Sequence, residues 1–120
     1  MSSPTTILAT QLISSKTTGS PIAKPQGMIA ANLTCPMSDA LAASNPSNSA
    51  TVTLLVSTDG GTSFVETASE VWTGGLAKDG VTPTQPGIST PLPPNATHVN
   101  GSIAFANGLL TSARLDMGFA

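Results

Sequence analysis

Alternating sets of side chains mark residues 50–56 and 112–119 of this chain as strands, with Val52, Leu54 and Val56 forming the apolar set of the first. Successive side chains of a strand point to opposite faces of its sheet, so an apolar set with a period of two predicts one buried face. The pattern therefore predicts a core of mainly aliphatic side chains. The predicted core residues are Val52, Leu54, Val56, Ile103, Phe105, Leu115 and Met117.

A turn signal follows the first alternating segment. The next seven residues read STDGGTS, and residues 64–72 after them are rich in strand-forming side chains. Gly60 and Gly61 can adopt the positive φ that a tight turn requires. We therefore expect residues 50–56 and 64–72 to form an antiparallel hairpin.

The return strand of this hairpin carries two acidic residues. Glu66 and Glu70 share the parity of Phe64 and Trp72, so either a bulge shifts the register or that face is partly in contact with water. Four residues along a strand separate the two carboxylates by about 13 Å, which is wide for a glycosidase pair. They are expected to be solvated.

Further apolar runs at residues 5–14, 27–35 and 99–105 complete the strand prediction. Asn107-Gly108 stands between the last run and residues 112–119, and Asn-Gly between alternating segments predicts a second hairpin. Residues 39–43 can form only about one helical turn. Roughly six or seven strands predict an all-β fold, a single antiparallel β-sandwich of the Ig-like or jelly-roll-like kind.

Two segments depart from what a minimal sandwich needs. Residues 81–96 contain five prolines, which exclude a central strand and predict an extended loop. Residues 1–6 are predicted to form an extended N-terminal arm. Because a hairpin connection needs far fewer residues, we expect the loop to contact a neighbouring molecule. The candidate partner-binding residues are Pro4, Ile88, Leu92, Pro93 and Pro94.

Length and charge narrow the class of protein. A chain of 120 residues fits one domain, 1–120. Only 8% of its residues are charged and the net charge is −2, whereas nucleic-acid binding and polybasic membrane binding both need clustered cations. We therefore expect neither nucleic acid nor membrane as a partner. The N-terminal residues have no cationic start and no h-region before a small-residue cleavage site, so no secretory signal is expected.

Candidate catalytic groups are few. His98 is the single histidine and no nucleophile motif accompanies it, so it is expected to be an edge or surface strand residue. Cys35 is the single cysteine and is expected to be a small buried apolar residue. No cysteine or histidine cluster has the spacing of a zinc site. We expect no enzymatic activity, no metal and no cofactor.

The turn segment STDGGTSF, residues 57–64, resembles the Asp-box hairpin of sialidases and related β-propellers, whose pattern is Ser-x-Asp-x-Gly-x-Thr-Trp. Ser63 and Phe64 stand here in place of the final Thr and Trp. In those families the box is structural and the aspartate ties down its own turn. The resemblance implies the same role for Asp59.

A wider resemblance covers the last two-thirds of the chain, from TVTLLVSTDGGTSFVETASEVWTGG through a Gly/Pro-rich spacer to LPPNATHVNGSIAFANGLLTSARLDMGF. These segments are similar to small β-sandwich virion proteins of tailed bacteriophages, of the capsid decoration or cement kind. The resemblance implies a non-catalytic protein that is made in the host cytoplasm and located on the outer capsid surface of the virion. Its expected function is to bind the shell of major capsid protein and to stabilise it. Its implied partners are the major capsid protein and copies of itself, with a trimer favoured.

Two alternatives stay open beside shell stabilisation. The first alternative assigns the chain to the neck or tail of the particle, as another structural component. A carbohydrate-binding module that attaches to host glycans is the second alternative, suggested by the sandwich and the Asp-box-like turn. Sugar-binding platforms use flat aromatic faces, for which Trp72 is the one candidate in this sequence.

Overall fold

The structure is a computed structural model that describes residues 4–13, 16–36, 49–73, 87–105 and 111–120. These residues contain no helix and form two antiparallel sheets packed together, so the predicted all-β sandwich is confirmed. The strands are β1 (Thr5–Ile13), β2 (Thr17–Thr18), β3 (Ile22–Ala23), β4 (Ala30–Thr34), β5 (Ser49–Ser57), β6 (Val65–Thr73), β7 (Gly87–Pro91), β8 (His98–Phe105) and β9 (Thr111–Phe119).

The strand order places different parts of the chain side by side. The four-stranded sheet has the order β1-β9-β4-β7, and the second sheet has the order β2-β8-β5-β6, with β3 also paired to β8. β2 and β3 follow each other along one side of β8. Between them, the Ser20 amide donates a 2.7 Å hydrogen bond to the Ile7 carbonyl of β1. This bond joins the two sheets at one side of the sandwich, and the edge strands β6 and β7 lie at the other.

The core lies between the two sheets. Every one of the seven predicted core residues is buried there, because strand alternation directs the apolar set of each strand toward the opposite sheet. Cys35 is also buried, as predicted. The other large side chains of this core are Ile7, Ile13, Leu33, Leu92, Val99 and Phe119.

The sheets approach each other closely where Gly101 of β8 faces Leu33 of β4. A Cβ atom at position 101 would lie 2.6 Å from Leu33 Cδ2 and 2.8 Å from Leu33 Cδ1. Leu33 is completely buried. The leucine side chain therefore fills the space that any residue other than glycine would need at this position.

The β5–β6 hairpin forms as predicted, with Gly60 at a φ of 80° and Gly61 at 92°. Its return strand contains a bulge, since Leu54 pairs with Ala68 and Leu55 pairs with Glu66. Thr67 is the extra residue. The bulge moves Glu66 to the outer face, while Glu70 keeps the parity of the core-facing side. Both glutamates are exposed. The strand therefore combines the two alternatives expected from the sequence, a bulge and a face partly in contact with water.

The predicted Asn107-Gly108 hairpin is wrong. β8 and β9 belong to different sheets and do not pair with each other. β8 has β5 on one side and both β2 and β3 on the other. β9 lies between β1 and β4. Each strand is therefore already paired on both sides. The chain passes from one sheet to the other between them, and residues 106–110 lie outside the described residues.

The predicted extended loop at residues 81–96 is wrong in its middle part. Gly87–Pro91 form the edge strand β7, which pairs with β4, and a proline is tolerated there because an edge strand has one free side. The predicted N-terminal arm also ends earlier than expected, since Thr5 and Thr6 already belong to β1. Residues 1–3, 81–86 and the predicted helical turn at 39–43 lie outside the described residues.

The close contact between the sheets predicts a compensating pair of substitutions. Gly101→Ala should destabilise the fold by about 1–3 kcal/mol, because the added methyl overlaps Leu33. Leu33→Ala should cost about 2–5 kcal/mol. The double variant should lose less free energy of unfolding than the sum of the two single losses. The reason is that alanine at position 33 leaves room for the methyl group at position 101. Urea unfolding measures all three.

Gly118→Ala is the matched control, since its nearest neighbour would be Pro4 Cγ at 3.9 Å. Its stability should stay close to that of the wild type. Additive losses in the double variant would contradict the close approach of Gly101 and Leu33.

Candidate interaction surface

Three loops and the last residue lie together at one end of the sandwich. The Lys24 amide donates to the Thr97 carbonyl at 2.8 Å, and the Thr97 amide donates to the Ser57 carbonyl at 2.8 Å. The Ile29 amide donates to the Ala120 carbonyl at 2.9 Å. We call this surface, made of residues 24–29, 57–64, 92–97 and 120, the loop end.

The Asp59 turn is held by its own side chains. Asp59 Oδ1 accepts hydrogen bonds from Ser57 Oγ at 2.7 Å and from the amides of Thr62 and Ser63 at 3.1 and 3.0 Å. Asp59 Oδ2 accepts one from Ser63 Oγ at 2.5 Å. Ser57 Oγ in turn accepts from the amide of Gly61 at 2.9 Å. The geometry agrees with the structural role that the Asp-box resemblance implied for Asp59.

These hydrogen bonds lower the pKa of Asp59 below its ordinary value. The Ser63 hydroxyl makes the largest contribution, followed by the Ser63 amide and the Ser57 hydroxyl. Each donor stabilises the charged carboxylate relative to the protonated acid. The side chain is therefore an ionised part of the turn, with both oxygens occupied by residues of the same turn.

Thr97 connects the Asp59 turn to the other loops. Its hydroxyl donates to the Ser57 carbonyl at 3.2 Å and accepts from the Gly60 amide at 3.0 Å. The His98 ring nitrogen Nδ1 lies 3.1 Å from the same hydroxyl. Together with its two main-chain hydrogen bonds, Thr97 fixes the positions of residues 24–29 and 57–64 relative to each other.

The loop end presents a surface of low charge. Its lysine, Lys24, has Nζ 3.3 Å from the Met28 carbonyl and 3.4 Å from the Pro25 carbonyl, so its donors are directed to the loop itself. Its acidic residue, Asp59, is held in its own turn. Ile29 in contrast is 73% exposed. Pro94 is exposed as well, so apolar groups of the loop end face solvent beside the Asp59 turn.

The predicted partner-binding residues divide into two groups. Pro93 and Pro94 belong to the loop end, and Pro4 lies at the same end of the four-stranded sheet, three strand spacings or about 14 Å away across it. Ile88 pairs with Leu33 and packs against the core. Leu92 is 9% exposed. Ile88 and Leu92 therefore pack against their own sandwich, and their contact with a neighbouring molecule stays a prediction.

The candidate catalytic residues lie apart from one another in the described structure. His98 begins β8 and is half-buried. Because β8 has neighbours on both sides, His98 does not lie on an edge strand, one of the two positions predicted for it. Burial and, to a lesser extent, the charge of Asp116 raise the pKa of Cys35 to about 12. Its thiol is thus protonated at neutral pH. The described residues contain no group of His, Cys, Asp or Glu that could hold a metal ion.

No family model, no curated protein and no solved structure matches the chain. In the part of the chain that the structure describes, no helix has the length and apolar character needed to cross a membrane. The loop end is therefore identified as a candidate interaction surface from its own geometry.

Sequence reasoning did not find Thr97 or Ile29. The hydroxyl of Thr97 meets groups that are 37 and 40 residues away along the chain, and no local pattern encodes such a contact. Ile29 was assigned to a strand because residues 27–35 are mostly apolar, but β4 begins only at Ala30. Gly27 before it has a φ of 84°. Gly27 is itself a turn signal in the sequence, and it was the indication that the strand starts after residue 27.

Removal of the Thr97 hydroxyl tests its connecting role. Thr97→Val keeps the shape of the side chain but leaves the Gly60 amide and the Ser57 carbonyl without this partner. We expect a loss of about 1–2 kcal/mol in the free energy of unfolding, measured with urea. Thr62→Val in the same loop end, where the side chain is exposed, should change stability much less. Equal losses would contradict the role of Thr97.

The lowered pKa of Asp59 predicts a dependence of stability on pH. Its carboxylate stabilises the fold above the ordinary value of 3.8, because the unfolded chain takes up the proton at a higher pH than the folded chain does. This stabilisation is lost as the pH falls from that value through the folded pKa. Asp59→Asn should therefore be less stable than the wild type at neutral pH, and the difference should shrink below pH 3.8.

Thermal unfolding of both proteins between neutral pH and about pH 2 measures this difference. Glu66→Gln serves as the control, since Glu66 is exposed and its ion pair with Lys16 is 3.6 Å long. A gap between wild type and Asp59→Asn that stays constant over the whole range would show that the carboxylate is not selectively stabilised in the fold.

Proposed function

We propose that this protein is a non-catalytic structural component of tailed-bacteriophage particles that binds the outer surface of the capsid and stabilises the shell. In this proposal the major capsid protein is the partner, and copies of the protein associate with one another, with a trimer favoured. The sequence resemblance to decoration proteins supports the phage particle as the target. The loop end is the proposed binding surface.

The observation that carries this proposal is the low charge of a rigid, partly apolar loop end. Its Lys and Asp side chains bond to their own loops, and Ile29 projects into solvent with 73% of its surface exposed. Charged residues are depleted at the centre of protein interfaces, where their desolvation is costly. A neutral surface with an exposed isoleucine and exposed prolines fits a protein partner better than a nucleic acid.

Rigidity supports the same conclusion. Loops that are already fixed by hydrogen bonds lose little conformational entropy when they bind, so more of the contact energy contributes to affinity. Thr97 and the Asp59 turn supply this order before any partner is present. The proposed surface is therefore formed in advance on a scaffold of two sheets.

A reconstitution assay tests the proposal. Particles of a phage that encodes this protein would be prepared without it and supplied with purified wild type or with Ile29→Asp. We expect the wild type to bind and to raise the temperature at which the shell opens. Ile29→Asp should bind at least about tenfold more weakly, because a charge would be desolvated in the contact.

Leu12→Asp is the matched control, because Leu12 is also an exposed aliphatic residue, 66% exposed, at the far end of β1 from the loop end. It should bind like the wild type. Equal weakening by both variants would contradict the loop end as the contact, and failure of the wild type to bind or protect particles would contradict the function. A copy number equal to a single ring would instead favour the neck or tail.

A further inference from the structure

We propose that the edge strand β6 binds an extended segment of a partner protein by strand addition, and that this segment carries a Lys or Arg opposite Glu70. The inference deepens the proposed function. It rests on that function only for the identity of the protein that supplies the added strand. A strand added to a sheet edge gains affinity from main-chain hydrogen bonds and specificity from alternate side chains.

β6 is a long edge strand. It has nine residues and pairs only with β5 among the described strands. Val65 is 69% exposed and Val71 is 63% exposed. Exposed β-branched residues on an edge are suited to cross-strand contact with another strand.

Glu70 sets the chemistry that this edge accepts. It pairs with Val52 in the register and so has the parity of the core-facing side. No ion pair connects it to any described residue, whereas Glu66 on the outer face is paired with Lys16. An acidic side chain on this side of an edge strand disfavours a neighbouring strand that offers no opposite charge.

The same residue argues against a second copy of the chain as the added strand. Consider two β6 strands that pair antiparallel near their centres, with their core-facing sides on the same face of the sheet. Glu70 of one copy then lies opposite Ala68, Glu70 or Trp72 of the other. The two Glu70 side chains are then directly opposite, with Cβ atoms about 5 Å apart, or diagonal neighbours at about 7–8 Å. Like charges at these positions destabilise the pairing. The edge therefore selects a basic segment of a different protein.

Peptide binding tests the proposal without any particle. Two fluorescent peptides of the length of β6 would be used, in which Val and Thr alternate around a central Lys or a central Glu. Anisotropy should show that the wild type binds the Lys peptide at least about fivefold more tightly than the Glu peptide. Amide chemical shifts should change along β6. Glu70→Lys should reverse the preference.

Thr62→Lys is the control, since it introduces a lysine at an exposed turn residue outside β6. It should keep the wild-type preference. If Glu70→Lys does not fold, Glu70→Gln should abolish the preference instead. Equal binding of the two peptides, binding of neither, or shifts confined to other strands would overturn the inference.

The outcomes separate this inference from the proposed function. Peptide selectivity without binding to particles would leave strand addition intact and remove the capsid as its target. Binding to particles without peptide selectivity would overturn strand addition at β6 alone.

Discussion

The contact between Leu33 and Gly101 sets how closely the two sheets pack, and the rest of the structure depends on that spacing. Aromatic residues make up only 3% of the chain, so the core is filled mainly by aliphatic side chains that cannot bridge a wide gap. Dispersion contacts weaken rapidly as surfaces separate. The absence of a side chain at Gly101 lets Leu33 enter the opposite sheet and brings the buried residues of both sheets into contact.

Sequence reasoning was successful where a structure is specified by neighbouring residues. The alternation in β5 and the glycines of its turn act locally, so the β5–β6 hairpin, the positive φ of Gly60 and Gly61 and the burial of Leu54 could be predicted. Membership of a sheet is different. A period of two shows which face of a strand is buried, but β8 and β9 bury their faces in the same core from opposite sheets.

The proline-rich segment shows the same limit from another direction. Prolines correctly excluded a central strand, yet β7 lies at an edge, where Pro91 needs no ladder donor on its free side. The burial of Leu92 depends on the four-stranded sheet that forms around it. Pro93 and Pro94 were predicted from sequence as partner-binding residues and lie in the loop end, where that role stays a prediction. Thr97 was not identified, because its partners come from a hairpin about forty residues earlier.

Two surfaces of this sandwich differ in physical character. The loop end has its charges bonded within its own loops and exposes an isoleucine, which suits a broad neutral contact. The β6 edge has a carboxylate with no ion pair among the described residues, which suits a directional contact with a basic strand. In the proposed function, these two surfaces allow one molecule to contact two partners, or two parts of one partner.

Nuclear Overhauser effects in the isotopically labelled protein test the packing of the two sheets most directly. The account predicts effects between the methyl groups of Leu33 and the Hα protons of Gly101, together with backbone effects from β8 to β5. It predicts no backbone strand pairing between β8 and β9. Absence of the Leu33–Gly101 effects, with backbone effects that pair β8 and β9 as a hairpin, would contradict it.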